Sequence, residues 1–202
     1  MQGAGRLGKA PGHPGAAIVF MLYAVLVGLA IGLLVGGRPA NLGRVRLRWG
    51  GVALAGLAIQ LLLFSPPVTE RVGDLGPPIY IGSTLMVLAF VLRNVADLPG
   101  LAVVALGAAS NMAAILANGG FMPASPDALA LAGKVGPGGY SNSVELASPA
   151  LQPLVDIFAM PRWLPFANVF SVGDVFIGLG VALVIVRGMR MQATAAPGPP
   201  GP

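Results

Sequence analysis

Phe170-Ser171-Val172-Gly173-Asp174-Val175-Phe176-Ile177-Gly178 opens the last long apolar run of the chain, which continues to Val186. An apolar run of this kind headed by one carboxylate is the pattern of a membrane helix with an acid at its mouth, where a charge is costly and marks a functional candidate. Only seven Asp and Glu occur in 202 residues, and a second, Asp156, stands eighteen positions upstream in Leu154-Val155-Asp156-Ile157-Phe158. These two acids are the candidate functional residues.

Composition fixes the class around that run. The chain is 55% hydrophobic and 9% charged, with a mean hydropathy of +0.81, far from a soluble domain. Thirty glycines point the same way, glycine being frequent in membrane helices. The absence of cysteine excludes disulfides, thiolate catalysis and sulfur-ligated metals. The one histidine, His13, sits in a Gly/Pro-rich tail, so no metal site and no cofactor is expected. A net charge of +5 raises nucleic acid as a partner, but the arginines cluster beside apolar segments, so topology explains them and no nucleic acid is expected.

Five segments approach the length of about 20 residues that crosses a bilayer: roughly 16–36, 49–64, 78–92, 98–117 and 172–186. The expected fold is therefore all-α, a polytopic membrane helix bundle of about five transmembrane helices with a helical outer-face loop. Its parts are a disordered tail (1–15), four transmembrane helices (16–117), an extracytoplasmic loop with short helices (118–170), a fifth transmembrane helix (171–190) and a second disordered tail (191–202). In this arrangement Arg38, Arg44, Arg46, Arg48, Arg93, Arg187 and Arg190 share one side, and Arg6, Lys9, Arg71, Lys134 and Arg162 the other. Positive residues near span ends favour the cytoplasm, which sets the N-terminus outside and the C-terminus inside.

The long loop carries two helix starts. Ser125-Pro126-Asp127 offers a capping hydroxyl before a first-turn proline, with Gly133 as the stop. Ser148-Pro149 repeats the signal before Leu151, Leu154, Val155 and Phe158, which are apolar at helical spacing. Between them, 136–140 (Gly-Pro-Gly-Gly-Tyr) reads as a flexible crossing. Asn118-Gly119-Gly120-Phe121-Met122-Pro123 is a helix stop, or a set of exposed amides able to hold a lipid head group or peptide. Gly28, Gly32 and Gly36 form a small-residue ladder that packs within the chain or against a helix of a partner. Gln60, Ser83, Thr84, Ser110 and Asn111 suit hydrogen bonds between helices.

Together, Gly36-Gly37-Arg38, Gln60, the Asn118–Pro123 stretch, Val155-Asp156-Ile157 and Ser171-Val172-Gly173-Asp174 with Ile177-Gly178 resemble a family of small bacterial multi-pass membrane proteins, a domain of unknown function. The resemblance covers most of the chain and implies no activity. A fainter similarity joins Val155–Phe158, Trp163-Leu164-Pro165-Phe166-Ala167-Asn168 and Asp174 to the C-terminal part of lipoprotein signal peptidase, an aspartyl protease of the outer face. By position, it implies a catalytic pair of Asp156 and Asp174. The chain departs from that enzyme: Asn168 lies six residues before Asp174 rather than three, the Asn-x-x-Asp-Arg element is missing, and five spans replace four.

Ser171-x-x-Asp174 also has the form of a capping box, which makes Asp174 a helix cap, and Asp156 a solvated acid or the partner of Arg162. The leading expectation is a non-catalytic scaffold, accessory or outer-face lipid- or peptide-binding role, with Asn118, Gly119, Gly120 and Asn168 as ligand-binding candidates. A membrane aspartyl peptidase is the alternative.

Overall fold

The apolar runs form helices close to their expected limits in a computed structural model that describes residues 16–133, 143–146 and 148–191. Helix α1 is Ala16–Leu34, α2 Gly50–Leu63, α3 a single turn at Pro66–Thr69, and α4 Gly76–Asn94. Helix α5 is Gly100–Ala117, α6 Pro126–Ala132 and α7 Val172–Arg190. The expected tails, apart from Met191, and the crossing at 136–140 lie outside the described residues. Three helical segments, Gly73–Asn94, Gly100–Ala117 and Val172–Arg190, are long and apolar enough to cross a membrane, while Phe20–Leu34 and Gly50–Leu63 are shorter apolar helices.

Local chemistry sets the boundaries. Pro77 and Pro78 fall in the first turn of α4, where a missing N–H costs nothing. At the end of α5, Gly119 and Gly120 take positive φ angles of 72° and 90°, and the Gly120 N–H donates to the Ile115 carbonyl. This is the left-handed stop expected of Asn118-Gly119-Gly120.

Helix α7 lies between α1 and α5; α4 packs on α5, and α2 on α4. Glycine sets the closest approaches. A Cβ at Gly100 would sit 2.9 Å from the Gly180 carbonyl oxygen, and one at Gly180 only 2.7 Å from that of Gly100. Gly107 and Gly173 oppose each other in the same way, so two glycine pairs, each spaced by seven residues along its helix, let antiparallel α5 and α7 touch backbone to backbone. On the other face of α7, Gly28 abuts the Ala182 backbone and Gly32 abuts Met189, so these two rungs of the ladder pack inside the chain. Gly36, at φ 80° beyond the end of α1, has no such neighbour. The outward faces are apolar: Leu54, Leu61, Leu62, Leu106 and Leu179 are all exposed, as suits helices surrounded by lipid.

The loop between α5 and α7 differs in part from its expected form. Helix α6 starts and stops as expected, with Gly133 at φ 72°, although the Ser125 hydroxyl makes no capping bond. The second expected helix is absent. Leu151 takes a left-handed φ of 53°, only one 3-10 turn forms at Gln152–Leu154, and the chain then extends. Pro153 has no N–H to donate, and the Asp156 backbone is drawn elsewhere: its N–H donates to Pro123 O at 3.0 Å, and its carbonyl accepts from Ser125 N at 2.9 Å. Four short strands form among the described residues. Strand β1 (Met122–Ala124) runs parallel to β2 (Ser143–Glu145), and β3 (Phe158–Ala159) runs antiparallel to β4 (Val169–Phe170). Stacking of Phe170 between Phe20 and Phe158, and a bond from the Tyr23 hydroxyl to Pro165 O, dock this loop onto α1.

Candidate functional site

Asp174 stands in the first turn of α7 and is 8% exposed. Ser171 is the N-cap of a complete capping box: its hydroxyl accepts from the Asp174 N–H at 3.1 Å, and its own N–H donates to Asp174 Oδ2 at 2.9 Å. The Ser171 hydroxyl also lies 2.9 Å from Asp174 Oδ2 and 2.8 Å from Asn111 Oδ1, so its single proton serves one of two acceptors at a time. Asn111, reaching across from α5, donates from Nδ2 to Asp174 Oδ1 at 2.9 Å. Gly173 makes this possible, because a side chain there would occupy the place of the Asn111 amide. Within Ser171-Val172-Gly173-Asp174, then, Ser171 caps the helix, Gly173 leaves room for the asparagine, and Asp174 accepts its hydrogen bond.

Asp156 reaches the same region from the loop. Its backbone bridges to Ala124, and its side chain is 4% exposed. Among the described residues no hydrogen bond reaches its carboxylate, and Arg162 does not pair with it. That guanidinium instead binds the Leu131 carbonyl at 2.9 Å and the Ala130 carbonyl, closing the end of α6. Burial pushes the Asp156 carboxyl well above its ordinary pKa, and the nearby Asp174 carboxylate adds to the shift. Two buried acids therefore face unequal conditions. Asp174 is surrounded by donors, whereas Asp156 is disfavoured as an anion. An arrangement of this kind can hold a proton on one acid while the other accepts hydrogen bonds.

A consequence for stability follows from the sign of that shift. The folded chain binds the Asp156 proton more tightly than the unfolded chain does. The resulting stabilisation is fully present below the ordinary carboxylate value and is lost as pH rises through the raised one. The thermal midpoint of purified protein, measured from about pH 4 to about pH 8, is expected to fall across that window, and Asp156→Asn is expected to flatten the fall. A wild-type slope kept in full by Asp156→Asn would assign the titration to another group.

The remaining sequence candidates occupy other positions. The Asn118 side chain clamps the loop: Nδ2 donates to Ala114 O and Ala150 O, and Oδ1 accepts from Ala150 N at 2.9 Å. Gly119 is exposed, while Gly120 is buried with Pro77 against it. Asn168 Oδ1 accepts from Val169 N within its own turn. Among the described residues no hydrogen bond joins Asn118 or Asn168 to either acid. No group of three or more His, Cys, Asp or Glu among them is placed to hold a metal ion.

The sequence marks Asn111 as a residue that bonds between helices, but does not show that its partner is Asp174. Nor does it single out Asn94, wholly buried, whose side chain binds both the N–H and the carbonyl of Arg48. An isolated asparagine next to Arg93 at the end of an apolar run is the signal that points to such a clamp. No curated protein and no solved structure matches the chain. The model of a family of unknown function matches residues 44–186, which take in α2, α4, α5, α6, most of α7, the loop and both acids. The chain belongs to that family, DUF5317.

Proposed function

We propose that this chain is a multi-pass protein of the bacterial cytoplasmic membrane with a non-catalytic role. Its α5–α7 loop forms an outer-face platform for a lipid or peptide, or for a partner that the protein supports. The carrying observation is that Asp174 is engaged in structure, bonded to Asn111 and to its own cap. Further support comes from Asn118, whose side chain ties Ala150 of the loop to the end of α5, while Trp163 and Phe166 turn outward at 80% and 75% exposure. Aromatic side chains of that kind suit a membrane interface. The orientation rests on the arginine distribution: Arg38, Arg44, Arg46, Arg48, Arg93, Arg187 and Arg190 gather at one end of the bundle, against Arg71 and Arg162 among the described residues of the other.

A second reading is favoured by one observation: Asp156 is buried, and the Asp174 carboxylate adds to the upward push on its carboxyl. A membrane aspartyl peptidase acting at the outer face would use such a pair, one acid protonated and the other activating water. Two measurements test these readings. Because the chain has no cysteine, Asp127→Cys is expected to react with an impermeant maleimide on intact spheroplasts and Arg44→Cys only after permeabilisation; the reverse pattern inverts the topology. Purified protein, incubated with a lipidated precursor peptide, is expected to leave it intact, as are folded Asp156→Asn and Asp174→Asn variants. Cleavage by wild type that both variants abolish would replace the non-catalytic reading with the peptidase.

A further inference from the structure

The end of the bundle opposite Asp174 carries two adjoining cavities, of about 450 Å³ and about 610 Å³, that share Arg44 and Met191 as lining residues. Arg38 and Arg190 complete the basic lining of the first, and Arg46 and Arg48 that of the second. All five of these arginines are exposed. Among the described residues none of their guanidinium groups has an ion pair or a hydrogen bond. Among the described lining residues, Asp97 in the second cavity is the one acid.

The backbone beneath these side chains is fixed at both ends. The Arg38 N–H and Asn41 Nδ2 both donate to the Met189 carbonyl at 2.8 Å, which folds the 3-10 turn Pro39–Arg44 over the end of α7. Leu42 and Val45 then seat on Gly188, where a Cβ would lie 2.8 Å from Leu42 Cδ2. At the far end Asn94 holds Arg48 through a 2.7 Å bond to its N–H and a 2.8 Å bond to its carbonyl. Trp49 follows in a left-handed conformation at φ 62°, a costly geometry for a tryptophan that turns the chain directly into α2. A topological signal needs only positive charge near the span ends. It requires neither a pinned loop nor convergence of guanidiniums on a cavity.

We propose that this cavity pair binds a phosphate group, and that its source is the head group of an anionic phospholipid. Guanidinium forks match phosphate oxygens in a bidentate manner and lose little entropy when their backbone is already held. Val35, Leu47, Leu98 and Met191 line the same space as the arginines, and Leu34 beside them is 85% exposed. A ligand with a charged head and an apolar body fits that combination better than a free anion does. The lipid source rests on the membrane-spanning reading. If carbonate extraction released the protein from membranes, that reading would fail, and the phosphate measurements below would still stand.

The test is native mass spectrometry of the full-length protein released from detergent with dioleoyl-phosphatidylglycerol, dioleoyl-phosphatidylcholine or inorganic phosphate. Wild type is expected to retain phosphatidylglycerol in preference to phosphatidylcholine. Arg38→Gln with Arg44→Gln is expected to weaken that binding about 30-fold, since each arginine near a lipid surface contributes about fivefold. Arg93→Gln with Arg187→Gln removes the same charge from the same end without touching either cavity, and a change under about threefold is expected. Arg46→Gln with Arg190→Gln serves if the first pair fails to fold. Inorganic phosphate that binds with the same arginine dependence, without a preference between the lipids, keeps the phosphate site and assigns it a soluble ligand. Equal losses in the cavity and control pairs, or equal retention of both lipids with no phosphate binding, would overturn the proposal.

Discussion

Gly173→Val is expected to destabilise the protein by about 3 kcal/mol or more, the upper range for forcing extra atoms into a packed interface. The position has no free volume. A Cβ on Gly173 would overlap the Asn111 amide and stand 2.8 Å from the Gly107 carbonyl oxygen. The asparagine could rotate away, but only by giving up its bond to Asp174, and the Gly107 carbonyl belongs to a helix that cannot shift alone. The second glycine pair, Gly100 and Gly180, holds the same two helices one heptad further along, so relief at one pair opens the other. In detergent, the thermal midpoint is expected to fall by roughly 6–12 °C, given about 2–4 °C per kcal/mol for a chain of this size. Gly43→Val is the control, since nothing lies within 4 Å of a Cβ at Gly43. Gly173→Val melting within about 2 °C of wild type would show that α5 and α7 are not in backbone contact. Gly107→Ala and Gly173→Ala combined are expected to cost less than their sum, because the first substitution already separates the helices that the second would separate.

That interface is legible in the sequence only in part. The apolar runs announce the five principal helices within a few residues, because length and hydropathy are local properties. The Ser171-x-x-Asp174 box is equally local, and the structure forms it. The partner of Asp174 is not legible. Asn111 lies sixty-three positions away and is brought opposite by the pairing of Gly107 with Gly173. The seven-residue spacing in Gly100/Gly107 and in Gly173/Gly180 is present in the sequence, but the ladder at Gly28, Gly32 and Gly36 is denser and masks it. The expected helix after Ser148 fails for a different reason. Its apolar residues do recur at helical spacing, but Pro153 and the left-handed Leu151 break the ladder, and the Pro123 carbonyl offers the Asp156 N–H a partner outside the segment. Strands of two or three residues carry too little periodicity to be seen beforehand.

Asp174→Ala is expected to be the most damaging change at the two buried acids, and Asp156→Asn the most benign. Removing the Asp174 carboxylate deletes its half of the capping box, which leaves the Ser171 N–H, and with it Asn111 Nδ2, without an acceptor in a buried site, at about 1–3 kcal/mol each. A total of about 2–5 kcal/mol follows once some relaxation is allowed. Asp174→Asn retains one carbonyl oxygen for Asn111 but can present an amide N–H to the Ser171 N–H, so an intermediate loss is expected. Asp156 has the opposite balance. No described residue donates to its carboxylate, and both burial and Asp174 oppose its charge. At neutral pH, Asp156→Asn is therefore expected to be neutral or stabilising. The two variants combined test whether the acids sense each other. If they do, Asp156→Asn gains less in an Asp174→Asn background than in wild type, because the repulsion it relieves has already gone. Full additivity in that double-mutant cycle would separate the two carboxylates energetically, and with them would go the physical basis for a proton-sharing pair. A non-additive cycle without peptide cleavage would leave the pair standing as a structural proton site beside the cap of α7.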